Sequence, residues 1–448
     1  DQDPTPSSPP DVQHELRRVR ALMQLEQQED QAQFKLKNAS ASIKERRRRG
    51  LTWYPVTITQ EDIGFGGKVV LELERPATQQ DLHLFQVGKN ACEFSSAPGY
   101  SGPDRPVLSG VVTSVRRNKL VLATTKEALP DRVLNGSTLN GNTLNGSTLG
   151  IDLTFDEVSY REMHQAMNDV IGAHGNRLAE LRDVLLGARP ARFREAQADD
   201  LFYPSALNDS QLVAVRHVIS AQDVAIIYGP PGTGKTTTLV QAILETIRRE
   251  RRVLVCAPSN TAVDLLTEKL AERGVNVIRM GNPSRVSDLL LKHTLDAGVM
   301  AHPSYAKMHA MRQTAEQHRD TASELAKEGV RNFGFEGRQH RQQLREEART
   351  LRQAAEDLER FMTEDVLESV QVITCTLVGA SHRAIRQLDF ETVFIDEAAQ
   401  ALEPGCWIPI AKGQRLVLAG DHHQLPPTVK SEQAAREGLR ETLFEKCI

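Results

Sequence analysis

The chain has 448 residues, enough for two or three domains that each bury a core of their own. Hydrophobic residues make up 40% and charged residues 25%, with no apolar run long enough to cross a bilayer, which excludes a fibre, a short disulfide scaffold and a helical membrane protein. The net charge of -4 lacks the basic excess of a dedicated nucleic-acid-binding domain, yet positive charge is clustered in Lys44 and Arg46 to Arg49 and again in Arg116, Arg117 and Lys119. Only a contact face has to be positive.

In chain order, residues 1–10 are polar and proline-rich, without the basic start or apolar core of a secretory signal, and read as a disordered tail. From Asp11 the apolar residues Leu16, Val19, Leu22, Met23 and Leu25 recur at helical steps, predicting a long amphipathic stalk helix within residues 11–49. Residues 50–155 turn to short β-rich pieces, Tyr54 to Ile58, Lys68 to Leu73, Val107 to Val115 and Lys119 to Ala123, separated by turn formers, which predicts a small β-barrel. Inside it, Leu134 to Gly150 repeats a five-residue unit with almost no core-building side chains and is expected to be a flexible loop, deletable without loss of folding. Helical spacing resumes from Asp156 to about Leu186, a second stalk helix and linker over 156–200.

Beyond residue 201 apolar strands alternate with helices: Val224 to Tyr228, Lys235 to Arg249, Val253 to Ala257, Val370 to Cys375, Thr392 to Ile395 and Leu416 to Ala419. Strands that are apolar throughout predict a parallel sheet buried on both faces, an α/β domain in two parts, 201–284 and 366–448. Between them, residues 285–365 carry Met308, Met311, Leu325, Leu344, Leu351, Leu358 and Phe361 among dense charges and predict an inserted helical hairpin. Cys92, Cys256, Cys375, Cys406 and Cys447 stand singly, without zinc-site spacing, and fit a reducing intracellular compartment, cytoplasmic or, in a eukaryote, nuclear.

The chemistry concentrates in Gly229, Pro230, Pro231, Gly232, Thr233, Gly234, Lys235, Thr236 and Thr237, a phosphate loop directly after one strand and directly before a helix. A triphosphate needs many backbone N–H donors at close approach, which glycines permit, together with a helix N-terminus. Lys235 then neutralises the β- and γ-phosphates of ATP and Thr236 offers a hydroxyl to Mg²⁺. Asp396 and Glu397 close an apolar strand, so both carboxylates fall at the carboxyl edge of the sheet, Asp396 for the Mg²⁺ shell and Glu397 as base for the attacking water. His422 and His423 have no third ligand nearby in sequence and are read as loop residues. Trp53, Phe155 and Tyr160 could stack on bases, but with aromatics only 5% of the chain most are expected to be core, and the Arg46 to Arg49 run stays open between a solvated helix end and a strand-tracking patch.

Leu207 to Gln211, the phosphate loop, Ala257 to Asp264, Asp396 to Gln400 and Gly420 to Thr428, in this order, resemble the motifs of superfamily 1 helicases, and most of all the up-frameshift group and its immunoglobulin mu-binding members. The resemblance implies a RecA-like P-loop NTPase domain, with a β-barrel mounted on a two-helix stalk, and an ATP-dependent motor moving 5′ to 3′ on single-stranded DNA or RNA. By that resemblance Gln211 reads the adenine edge, Gln424 senses the γ-phosphate, and Ser259, Asn260 and Asp264 contact the single strand or order the loop that does. The 24 residues after Gln424 are too few for the second RecA-like domain that such motors close against, so the chain is expected to be a monomeric part of a longer protein. Without an arginine from that domain, which contributes roughly 10³ to 10⁵ in rate in P-loop enzymes, it is expected to bind nucleotide but neither to unwind duplexes nor to turn over usefully. Two other readings remain: a nucleotide-gated binding module that does not unwind, and a P-loop enzyme acting on small molecules, which leaves the Ser259 to Asp264 and Gly420 to Thr428 segments without a purpose.

Overall fold

Two apolar periodicities organise the chain, a step of two in its first third and continuous runs in its second half. The computed structural model describes residues 11–38, 42–63, 69–79, 83–85, 89–96, 105–124, 148–195, 207–230, 232–281, 286, 288–332 and 335–448. The expected tail at 1–10 and most of the five-residue repeat lie outside the described residues.

The amphipathic start forms helix α1 (Val12–Asn38), and Ser42 caps a short second helix, α2 (Ile43–Arg48), by accepting a bond from the Glu45 N–H. The single helix expected over 11–49 is therefore two, because Ser42 offers the backbone a start signal in mid-run. Leu16, Val19, Leu22 and Met23 are buried in the same cluster as one face of the large sheet, so α1 is part of that domain's core. Glu26, buried on α1, accepts from the backbone N–H groups of Lys430 (2.9 Å) and Ser431 (2.7 Å) and fastens the helix to the far end of the chain.

Six antiparallel strands close a barrel in the order β1-β2-β5-β4-β3-β6: β1 (Thr52–Ile63), β2 (Val69–Glu74), β3 (Asn90–Ser96), β4 (Arg105–Arg116), β5 (Lys119–Thr124) and β6 (Thr148–Leu153). Alternate residues of β2 and β5 are buried, Leu71, Leu73, Leu120 and Leu122 among them, as a step of two requires. Sequence patterning misses β3, whose inward face carries Glu93, and β6, which begins inside the repeat. The expectation that Leu134 to Gly150 holds no core residue is corrected here: Leu149 is buried, and Thr148 to Gly150 pair with Ser96, Ser95 and Phe94. Removing the whole repeat would open the barrel wall. Gly150 is held to a hydrogen side chain by the Phe94 ring, since a Cβ there would lie 2.2 Å from the ring tip. Gly150→Val is expected to cost about 1–3 kcal/mol through overpacking, and thermal unfolding checks this; an unchanged midpoint would mean the ring moves aside freely.

The second amphipathic segment is broken at His174 to Asn176 into α3 (Glu157–Gly172) and α4 (Arg177–Leu185), with Asn176 capping α4. Then come α5 (Asp209–Ser220), β7 (Val224–Tyr228), α6 (Lys235–Ile247), β8 (Val253–Ala257), α7 (Asn260–Glu272) and β9 (Val277–Arg279). The helical insertion opens with a 3₁₀ turn (Asp288–His293) and α8 (Leu295–Met300), and continues as α9 (Tyr305–Asn332) and α10 (Phe335–Glu368). Arg312 and Glu359 bridge these last two helices at 2.7 Å. The chain returns to the sheet with β10 (Val372–Thr376), β11 (Phe390–Ile395), α11 (Glu403–Ile410) and β12 (Gly413–Gly420).

All pairings in this second sheet are parallel, in the order β7-β12-β11-β8-β10-β9. Val253, Val255, Phe394 and Val417 face one apolar cluster with α5, α6 and α7, while Leu254, Cys256, Val393, Ile395 and Leu416 face the other with α1, α3 and α11. Burial on both faces explains the uninterrupted apolar strands. No described helix is long and apolar enough to cross a membrane.

Candidate functional site

Four neighbouring strands, β7, β12, β11 and β8, end side by side, and the segments leaving them are Gly229 to Gly234, Asp421 to Gln424, Asp396 to Gln400 and Pro258 to Asn260. Every motif picked out in the sequence after the first therefore lies at one carboxyl edge, where α/β sheets hold ligands. Pro231 lies outside the described residues.

The phosphate loop turns on Gly232 and Gly234, with φ of +82° and +81°, values that a side-chain-bearing residue adopts only with strain. Gly234 precedes α6 with no side-chain cap, so the first-turn N–H groups that begin at Lys235 point their donors out of the helix. Thr236 and Thr237 follow in that turn, and the Thr233 hydroxyl donates to the Pro230 carbonyl at 2.7 Å, bracing the loop. Gln211 closes the other side. Its amide accepts from the Asn208 N–H (3.0 Å) in a capping box and donates to the Thr233 carbonyl (3.1 Å), while a Cβ on Gly234 would sit 2.4 Å from its nitrogen. In this arrangement the Gln211 amide holds loop and helix together.

Lys235 Nζ lies 3.0 Å from Glu397 Oε1, joining the phosphate loop to the end of β11. Glu397 has φ +51° and ψ +37°, left-handed backbone that is uncommon without glycine and turns up at strained functional positions. Its neighbour Asp396 is buried, accepts from the Glu397 N–H at 2.9 Å, and has its pKa pushed up to about 6 by burial and then by the Glu397 charge. Gln400 donates from one amide nitrogen to Glu397 Oε2 (3.3 Å) and to Gln424 Oε1 (3.0 Å), so the Glu397 carboxylate and the Gln424 amide share a linker. Buried Asp421 fixes the next turn by accepting from the His423 N–H at 3.0 Å.

These groups fit a metal-bound triphosphate: a glycine cradle with free helix-end donors, one lysine, a hydroxyl at Thr236, and one desolvated carboxylate that a divalent cation would favour in its charged form. Among the described residues no cluster of three His, Cys, Asp or Glu side chains could hold a metal ion.

A family model described as an AAA domain matches residues 206–432, just over half of the chain. The chain is 35% identical over 297 residues to "DNA-binding protein SMUBP-2" of Mesocricetus auratus, covering 65% of this chain and 29% of that one. It is 30% identical over 406 residues to "DNA polymerase alpha-associated DNA helicase A" of Schizosaccharomyces pombe, 86% of this chain and 57% of that one, and 34% identical over 316 residues to "ATP-dependent helicase upf1" of the same yeast, 66% and 31%. The chain belongs to the superfamily 1 helicases of the up-frameshift group. It spans between 29% and 57% of the length of these relatives.

The remaining segment at the sheet edge leads into the start of α7. Ser259 caps it, accepting from the Ala262 N–H at 3.1 Å, and Asn260 and Asp264 turn inward to Arg279. Sequence reasoning gave no role to Gln400, Asp421 or Arg279; the first two lie in segments with a functional signal, Asp396 to Gln400 and Gly420 to Thr428, whereas Arg279 lies in none. Tyr228 stacks on His422 at 5.2 Å, with His423 packed against both, so the histidine pair serves the aromatic packing of this edge. Trp53 is buried in the barrel under the Arg75 guanidinium, and Tyr160 donates to Asp30 and stacks on Phe155, as core residues do.

Proposed function

We propose that this chain is the ATP-binding part of a motor that moves 5′ to 3′ on single-stranded DNA or RNA and separates duplexes. The observation that carries it is the continuous side-chain path Lys235, Glu397, Gln400, Gln424, because it ties phosphate loop, base and sensor into one unit that a γ-phosphate would reorganise. In this reading Gln211 and Gly229 to Thr237 bind the nucleotide, with the loop glycines and α6 donors around the phosphates. Thr236 and Asp396 hold Mg²⁺, which supplies charge neutralisation at the transferring phosphoryl group. Lys235 exchanges its Glu397 partner for phosphate oxygens, and the released Glu397 carboxylate takes a proton from water. Gln424 reports the γ-phosphate through Gln400. Ser259, Asn260 and Asp264 form or hold the strand contact, and the barrel on its two-helix stalk and the α9–α10 hairpin flank the motor. An intracellular setting and a monomer complete the proposal; all five cysteines are free thiols.

Strand-stimulated ATP hydrolysis, measured with matched single-stranded DNA and RNA, tests the reading; ATP turnover indifferent to either strand would reduce it to a nucleotide-gated module. Contacts to phosphates predict sequence-tolerant binding that weakens as salt rises. The structure divides the arginine run. Arg46 pairs with Asp152 and stacks over Phe94 at 5.1 Å; Arg49 lies 2.6 Å and Arg48 4.0 Å from Glu45, and the Arg48 side chain is 80% exposed. If the run tracks the strand, Arg48→Ala should lower the slope of log affinity against log salt by about one charge; an unchanged slope makes it a solvated surface.

A further inference from the structure

We propose that Arg279 is the positioning residue of the strand contact, locking the first turn of α7 so that Ser259 and Thr261 face the nucleic acid. The inference rests on the strand-binding reading above and goes beyond it by dividing the segment into residues that hold and residues that touch.

Arg279 ends the edge strand β9 and is 1% exposed. Its Nε donates to Asp264 Oδ1 at 2.9 Å, its Nη2 to Asn260 Oδ1 at 2.8 Å, and its Nη1 to the Met280 carbonyl. Asn260 and Asp264 are one helical turn apart, so a single planar fork grips two points on one face of α7. Val263, Leu266 and Leu270 already supply the apolar packing of this helix. An apolar side chain in place of Arg279 would extend that packing without the cost of desolvating a guanidinium. What the fork adds is a fixed rotation and a fixed end for α7. Gly281, whose Cβ would stand 3.0 Å from Nη1, leaves room for the head group.

Charge makes the same point. A carboxylate at Asp264 left open beside a phosphate backbone would repel it, and the guanidinium cancels that charge where it arises. With the Asn260 oxygen and one Asp264 oxygen turned to Arg279, the exposed residues of the turn are Ser259, whose hydroxyl accepts from the Ala262 N–H but keeps its own proton to donate, and Thr261. The resemblance-based assignment is thereby refined: Asn260 and Asp264 anchor, Ser259 and Thr261 present.

The test uses the whole chain, binding of a fluorescein-labelled oligo-dT by anisotropy, and a fluorescent ADP analogue as the control ligand. Arg279→Lys keeps the charge but cannot bond two acceptors in one plane, and is expected to weaken strand binding about tenfold, as loss of an orienting partner does at other sites, while ADP affinity holds within about twofold. Thr261→Ala, a surface change, should weaken strand binding at an unaltered melting temperature. Strand affinity unchanged in both variants, beside a wild-type chain that binds, would overturn the inference. Parallel loss of strand affinity, ADP affinity and melting temperature in Arg279→Lys would also overturn it, by making the residue a general stabiliser. A wild-type chain that ignores the oligonucleotide at low salt would instead overturn the strand-binding reading itself.

Discussion

Glu397→Gln is expected to retain MgATP binding and to slow hydrolysis by about 10² to 10⁴-fold, the range that a positioned general base contributes. Glutamine keeps the shape, the Gln400 contact and the left-handed backbone, but it cannot take the proton of water. Lys235→Ala should do the opposite and abolish binding, because it deletes the only side-chain cation that the described residues place within the phosphate loop. The ion pair between the two sharpens the contrast: in Glu397→Gln the lysine loses its anionic partner and is freer to meet a phosphate, so nucleotide affinity should be equal or higher. Equilibrium titration with a fluorescent nucleotide and single-turnover hydrolysis separate the two effects. Parental turnover in Glu397→Gln would remove this residue from the role of base.

The barrel should lose stability as pH rises from 4.5 to neutrality, and Glu93 is the reason. It lies on β3 between Leu108 and Ile151, with no exposed surface and no hydrogen-bond partner for either carboxylate oxygen among the described residues. Burial pushes its pKa from 4.5 up to about 7. Because the folded form holds this proton more tightly than the unfolded chain, the protonated group costs nothing extra below pH 4.5. Stability then falls between 4.5 and about 7 and stays low above that. A shift of that size corresponds to a loss on the order of 3 kcal/mol by pH 8. Glu93→Gln cannot titrate, so its unfolding midpoint should change less than that of the parent between pH 5 and pH 8. Identical profiles in the two proteins would place the pH dependence elsewhere.

The parts of this protein legible in sequence are those in which function or burial acts on neighbouring residues. The phosphate loop is local because its chemistry is a single turn of backbone, and β8 or β11 announces itself because burial on both faces tolerates nothing polar over the length of a strand. The same logic places Asp396 and Glu397 at a strand end, and Thr236 one residue after Lys235. Barrel strands with a regular step of two were also legible; β3 and β6 were not, since an inward glutamate in one and a turn-like repeat at the start of the other hide the alternation.

Only the tertiary structure decided what the remaining residues do, because their partners lie far along the chain. Gln211 spans 22 positions to reach the Thr233 carbonyl, Gln400 spans 24 to reach Gln424, and Glu26 spans 404 to reach Lys430. Arg279 would pass in sequence for the solvated end of a short strand, yet it is buried because β9 packs beside the first turn of α7. A glutamine, a glutamate or an arginine has no intrinsic place in a fold: the donors and acceptors it meets are set when strands from distant parts of the chain are brought into register. Composition and spacing therefore determined the phosphate chemistry and the two architectures, and packing determined which polar side chains hold the site together.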